Sequence, residues 1–261
     1  MRAIRILKEA DLVLAEDTRT SSVLLKHFDI RNRLVAHHKF NEHGTSSAIV
    51  ERLKGGETIA LISDAGTPGI SDPGFYLARE AAKAGITVQT LPGPTACIPA
   101  IVSSGLPCDR FCFEGFIPQK KGRQTYLESL KDEVRTMIFY EAPHKLCATL
   151  DDLAEAFGPG RRISLCRELT KLHEEVRRTT LGEAAEWYGA NPPRGEFVLV
   201  VEGAAGTAAE APTLAGGLAR VEALRAEGLS LRDAVRQAAR ETGLAKNELY
   251  DRAVGKTGGC E

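Results

Sequence analysis

Apolar positions along this chain follow two rhythms. Short runs rich in Val, Leu and Ile, such as "DLVLAED" (11–17), "TIALIS" (58–63) and "ITVQTLPG" (86–93), have the continuous hydrophobicity of strands covered on both faces. Between them lie segments of ten to fifteen residues with amphipathic spacing, including "SSAIVERLKGG" (46–56), which its Gly pair should stop, and "DPGFYLAREAAKAG" (72–85). In the latter, Asp72 reads as the N-cap and Pro73 as the first helical residue. Strand, helix, strand in this order is a βαβ unit and predicts a mainly parallel sheet.

A short helix over "PTACIPAIVSSG" (94–105) leads into a second series that opens with "LPCDRFCFEGFIP" (106–118). Helices are predicted over 122–133, 144–158 and 181–189, and strands over 136–143, 162–169, 174–180 and 195–203, with Gly158 ending the second helix. The pattern therefore gives an α/β fold of two α/β domains, 1–93 and 94–203. A small-residue linker over 204–216 precedes a helical extension over 217–261. Its three amphipathic segments are joined by short Gly-containing turns, and Ser230 with Asp233 makes a capping-box-like start. Helix, tight turn, helix fits a helix-turn-helix that touches nucleic acid; it fits equally a helical appendage that packs on protein.

Composition narrows the class. The chain has 261 residues, 43% of them hydrophobic, enough for a substantial core. Its longest apolar runs, "TMIFY" and "FVLVV", are far short of the roughly 20 residues of a membrane span. The N-terminal stretch has no secretory h-region, so a cytoplasmic protein is expected. Six cysteines (97, 108, 112, 147, 166 and 260) include no Cys-x-x-Cys pair, and reduced core residues rather than metal ligands are expected. The net charge of −1 announces no polyanion partner. Local basic stretches exist at "PQKKGR" (118–123), "GPGRRI" and "EVRRTT"; each alone reads most simply as a solvated loop or edge strand.

Chemistry concentrates in the loops. In an open α/β sheet ligands sit beyond the carboxyl ends of the strands, and "SDAGTPGISDPG" (63–74) follows the strand "TIALI" directly. Glycines let backbone approach a ligand closely, and the loop supplies amides and hydroxyls without bulk. It lacks the Gly-Lys-Ser/Thr of a phosphate loop, and Asp64 and Asp72 would repel an anion, so a neutral or cationic ligand fits better. "AEDTRTS", "LPGPTA" and "YEAPHK" belong at the same edges and gather Glu16, Asp17, Arg19, Glu141 and His144. A carboxylate or imidazole there could act as a general base. No hydrolase, metalloprotease or dinucleotide motif is present.

The ordered set "AEDTRTSSVLLKHF", "LISDAGTPGISDPG", "LPGPTACIPAIVSSGLP", "GFIPQKKGR", "FYEAPHK", "RELTKLHEE" and "GEFVLVVEG" resembles the tetrapyrrole-methylase family. Within it the match is to the branch that 2′-O-methylates a cytidine of small-subunit (16S) ribosomal RNA. The resemblance implies two α/β domains with S-adenosylmethionine in a cleft between them, and a homodimer acting on ribosomal RNA or the assembled 30S particle. By position, Asp64, Ala65, Gly66, Thr67, Ile70, Thr95 and Ala96 would contact the cofactor. Tyr140, Glu141, Ala142, Pro143, Cys166 and Phe197 would close its pocket. Glu16, Asp17 or Glu141 would take the hydroxyl proton, with Arg19, Lys120, Lys121, Arg123 and His144 on the RNA. A cationic methyl donor agrees with the acidity of the loop. Family members also carry a strand and a "TPIGNL"-like loop ahead of "MRAIRILKEA", so the sheet edge beside that position is expected to be open. A tetrapyrrole methylase and a non-catalytic RNA-binding module are the competing readings.

Overall fold

Strand β1 (Leu12–Ala15) is buried at all four positions and has a parallel neighbour on each side: β2 (Leu34–Ala36) and β3 (Ile59–Ile62). The computed structural model describes residues 1–205 and 213–255, divided into the units Met1–Ala204 and Ala205–Glu261. Side chains of β1 alternate between two cores. Leu12 and Leu14 meet Ile49 and Val50 of α3 (Glu42–Lys54) and Leu77 of α4 (Phe75–Lys83). Val13 meets Leu7 of α1 (Arg2–Glu9), Leu25 of α2 (Thr18–His27) and Ile30.

The second sheet of the first unit has the order β4-β5-β8-β6-β7: β4 (Phe111–Phe116), β5 (Thr136–Glu141), β6 (Arg162–Arg167), β7 (Glu175–Thr180) and β8 (Phe197–Val201). Its centre, "FVLVV", is wholly buried. One face carries Met137, Phe139, Leu165, Leu199 and Val201, alongside buried residues of α6 (Arg123–Leu130), α7 (Leu146–Phe157) and α8 (Leu181–Ala190). The other carries Ile138, Cys166, Val198 and Val200 against α5 (Cys97–Ser104).

Several expectations are corrected. The second sheet is mixed: only β4 and β5 run parallel, and the other three pairings are antiparallel. The loop after β6 is short enough to turn the chain straight back as β7, and β8 then inserts between β5 and β6. Residues 86–91 form no strand. The outer edge of β3 is left unpaired, and Thr87 to Thr90 lie exposed, with no burial to hold them against it. Helix α4 starts at Phe75 with Gly74 as N-cap, leaving Asp72 and Pro73 in the preceding loop.

The second unit has its own core, in which Val221 and Leu224 of α9 (Leu214–Ala226) pack with Ala234, Val235 and Ala238 of α10 (Leu231–Thr242) and Leu249 of α11 (Lys246–Ala253). Ser230 caps α10 through the Asp233 amide, as its spacing predicts, and Gly243 ends that helix in the left-handed region. Helix α9 begins inside the expected linker; residues 206–212, most of that linker, and Cys260 lie outside the described residues. Among the described residues no helix is long and apolar enough to cross a membrane.

Candidate active site

The loop after β3 takes an irregular path, with Gly66, Gly69, Ser71 and Gly74 all at positive φ. Gly74 favours glycine: at φ 131°, which L side chains rarely adopt, an added Cβ would lie 2.6 Å from Leu61 Cδ2, which would have to shift. Five contacts hold the loop. Ser63 Oγ donates to the Ala65 carbonyl at 3.0 Å, and Thr67 Oγ1 lies 3.2 Å from the Pro94 carbonyl and 3.1 Å from Thr95 Oγ1. The Asp17 amide donates to Asp64 Oδ1 at 3.3 Å, and the Gly74 amide to Glu42 Oε2 at 3.2 Å. The loops after β1 and β3 and the 91–96 segment are thereby brought together, the last without the strand expected ahead of it. Asp64, Ala65, Gly66 and Ala96 are exposed there, and Ile70 is 40% exposed.

The carboxylates at this edge differ in character. Asp17 caps α2 through the Arg19 amide and pairs with the Arg19 guanidinium at 2.6 Å. The side-chain hydrogen bond from Arg19 leads in lowering its pKa to about 2. Burial, followed by the charges of Asp72 and Asp64, pushes Glu16 above its ordinary value. Burial likewise raises Asp72, against a hydrogen bond from Ser63.

Across the second sheet the pairing aligns Glu141, Phe197, Arg167 and Glu175 in one row, with Phe116 opposite Tyr140 beside it. Tyr140 Oη accepts the Cys97 amide at 3.2 Å, which ties β5 to the start of α5. Burial leads in pushing the phenol up to about 12. Gly115 sits at the β4 register shift, where an added Cβ would lie 3.2 Å from Ser71 Oγ, so Ser71 comes close to this strand. Glu141 is only 5% exposed; its Oε1 accepts the Ala142 amide at 2.8 Å and its Oε2 the Thr149 hydroxyl at 2.6 Å. Arg123 joins the same network, donating to Thr149 Oγ1 at 3.0 Å and pairing with Asp152 at 2.5 Å. Both side chains are thus bound into the protein. Pro143 and His144 lie in a single 3₁₀ turn, with His144 exposed beside the half-buried Ala142. Lys120 and Lys121 are exposed too. Cys166 is buried, its thiol 3.7 Å from the Ala100 carbonyl and raised in pKa by burial, while Phe197 packs its ring on Tyr188. Those two can face a ligand only through backbone.

A family model described as tetrapyrrole (corrin/porphyrin) methylases matches residues 1–185. The chain belongs to this family. Residues 213–256 match the model described as the RsmI C-terminal HTH domain. Among curated relatives, the ribosomal RNA small subunit methyltransferase I of Synechocystis sp. is 46% identical over 95% of this chain and 90% of its own length. The protein of that name from Pseudomonas aeruginosa is 46% identical over 98% of this chain and 92% of its own. Among solved structures, a diphthine synthase superposes with a TM-score of 0.60 at 13% identity, covering 77% of this chain and 83% of its own. A Thermus thermophilus uroporphyrin-III-C-methyltransferase does so at 0.52 and 21% identity, covering 77% and 86%. The methylase fold thus carries the loops described above.

In this methylase, the sequence reading counts Asp72 among the acids of the loop but also makes it a helix cap, a place that falls to Gly74. It passes over two further polar residues, Glu42 and His37. Glu42, at the start of α3, braces the Gly74 amide. His37 is fully buried, with Nδ1 3.2 Å from Thr45 Oγ1 and no partner on Nε2. The signal available was "HHKFNE" (37–42), which follows a strand of three residues, too short to register as a strand by periodicity.

Proposed function

We propose that this chain transfers a methyl group from S-adenosylmethionine to the ribose 2′-hydroxyl of a cytidine in small-subunit ribosomal RNA. The observation that carries the reading is the junction of the Gly-rich loop with the 91–96 segment and the Asp17 turn, made by Thr67–Thr95 and Asp17–Asp64. The relatives that bear the small-subunit rRNA methyltransferase name support the substrate class. The residues fit this cofactor. Exposed loop backbone at 64–66 admits close approach, and Glu16, Asp64 and Asp72 favour a ligand bearing sulfonium and ammonium charges over a phosphate. The loop, Thr95–Ala96 and the Tyr140–Pro143 turn would hold it, with 1–93 and 94–203 as the two walls. When bound, it supplies an electrophilic methyl on sulfur.

The protein's own part is alignment of the ribose oxygen and removal of its proton. Of the three candidate bases, Glu16 fits best. Asp17 is engaged with Arg19, and both oxygens of Glu141 are occupied. A carboxylate held above its ordinary pKa is the better proton acceptor. Glu141 and Arg123 are then positioning residues that fix the 142–145 turn through Thr149. Arg19, Lys120, Lys121 and His144 remain for RNA phosphate. A cytoplasmic homodimer acting on RNA or the 30S particle completes the reading.

Offering a labelled methyl donor with naked RNA, assembled small subunits or a precursor tetrapyrrole tests it. Label in RNA or subunits, and loss of one 2′-O-methylated cytidine by nucleoside mass spectrometry when the gene is deleted, are expected. Label in the tetrapyrrole alone would overturn the reading.

A further inference from the structure

The row Glu141–Phe197–Arg167–Glu175 has a consequence beyond the cofactor. Every loop just past it lies on the same edge of the five-stranded sheet: 117–122 after β4, 142–145 after β5, 168–174 between β6 and β7, and 191–196 before β8. Charge on this edge is unbalanced. Glu168 and Glu196 are both held by Lys171, and Glu175 by Arg167 and Arg177. Glu174 accepts the Thr170 amide. Lys120, Lys121, Lys145 and Arg194 have no acidic partner among the described residues, and all but the half-buried Lys145 are exposed.

An aromatic ring stands in the same place. Phe116, the last residue of β4, is 56% exposed although it sits opposite Tyr140, whose ring is 5.7 Å away edge to face. Phe113 lies 5.0 Å from Tyr140 in turn. Phe116 is therefore an oriented, half-open ring on the edge that carries these cations. Exposed aromatics stack unpaired bases and lysine or arginine side chains hold the backbone in single-stranded RNA recognition.

The geometry points to this edge as the RNA-docking rim: Lys145 and Arg194, with Lys120 and Lys121, hold phosphates, and Phe116 stacks a base beside the methyl-transfer site. This rests on the proposed rRNA reading. The test measures retention of small subunits and of their naked RNA by the full chain across a salt series. Each of Lys145→Ala and Arg194→Ala is expected to make the slope of log K against log salt shallower by about 0.7 to 0.9, the contribution of one phosphate. Their cofactor affinity in calorimetry should stay unchanged, which reports an intact fold. Phe116→Ala should weaken binding about tenfold at constant slope, and Phe116→Trp should restore it. Wild-type slopes in both cation variants, or a Trp variant as weak as the Ala one, would overturn the rim while leaving the rRNA reading standing. A wild-type chain that retains neither subunits nor RNA would overturn both.

Discussion

At the scale of single residues, three carboxylates that look alike in sequence are separated by their surroundings. Asp17 sits beside a guanidinium, Glu141 between an amide and a hydroxyl, and Glu16 among other acids. If Glu16 is the base, it must be ionised to act. Because burial and like charges raise its pKa, the acid limb of kcat/KM should lie above the ordinary value of 4.5. The sign for stability is opposite. The folded chain holds the Glu16 proton more tightly than the unfolded one, so this group's contribution falls as pH rises from 4.5 towards the raised value. Glu16→Gln should remove that limb and lower the rate by about 10²–10⁴-fold, with cofactor still bound. A profile that keeps its limb in the variant would pass the role to Asp72. Residue types around the site were legible in the motifs; which carboxylate is raised depends on burial, which no motif records.

At the scale of elements, the Gly-rich loop depends on contacts from far along the chain. Gly74→Ala would place a methyl against Leu61 at a φ that alanine rarely adopts. A loss of about 1–3 kcal/mol is expected in urea unfolding. Glu42→Ala should free the Gly74 amide, visible as faster hydrogen exchange there, and weaken cofactor binding, whereas Glu42→Gln, which keeps an acceptor, should retain most of it. Periodicity located β1, β3, β5 to β8 and most of the helices because their apolar runs are long or regular. It missed β2, which has three residues, and α1, left β4 as the unassigned opening of the second series, and missed α2, whose cap Asp17 was weighed only as chemistry. The expected strand at 86–91 failed for another reason: its residues suit a strand, but Thr87 to Thr90 lie exposed and the free edge of β3 stays unpaired.

For the whole molecule, the two units make separable contributions. The helices of 213–255 have a core of their own, so a chain ending at Ala204 should keep its cofactor affinity within about twofold in calorimetry. Its retention of small subunits should weaken if α9 to α11 contact RNA. Unchanged retention would favour the alternative, an appendage that packs on protein. Hydrophobic rhythm, a local property, was sufficient for the α/β class and the helical extension. Strand order was not local. The mixed sheet, the row that lines up Phe116, Lys145 and Arg194 on one edge, and the meeting of Thr67 with Thr95 arise from pairing between segments distant in the chain, which only the tertiary structure decides.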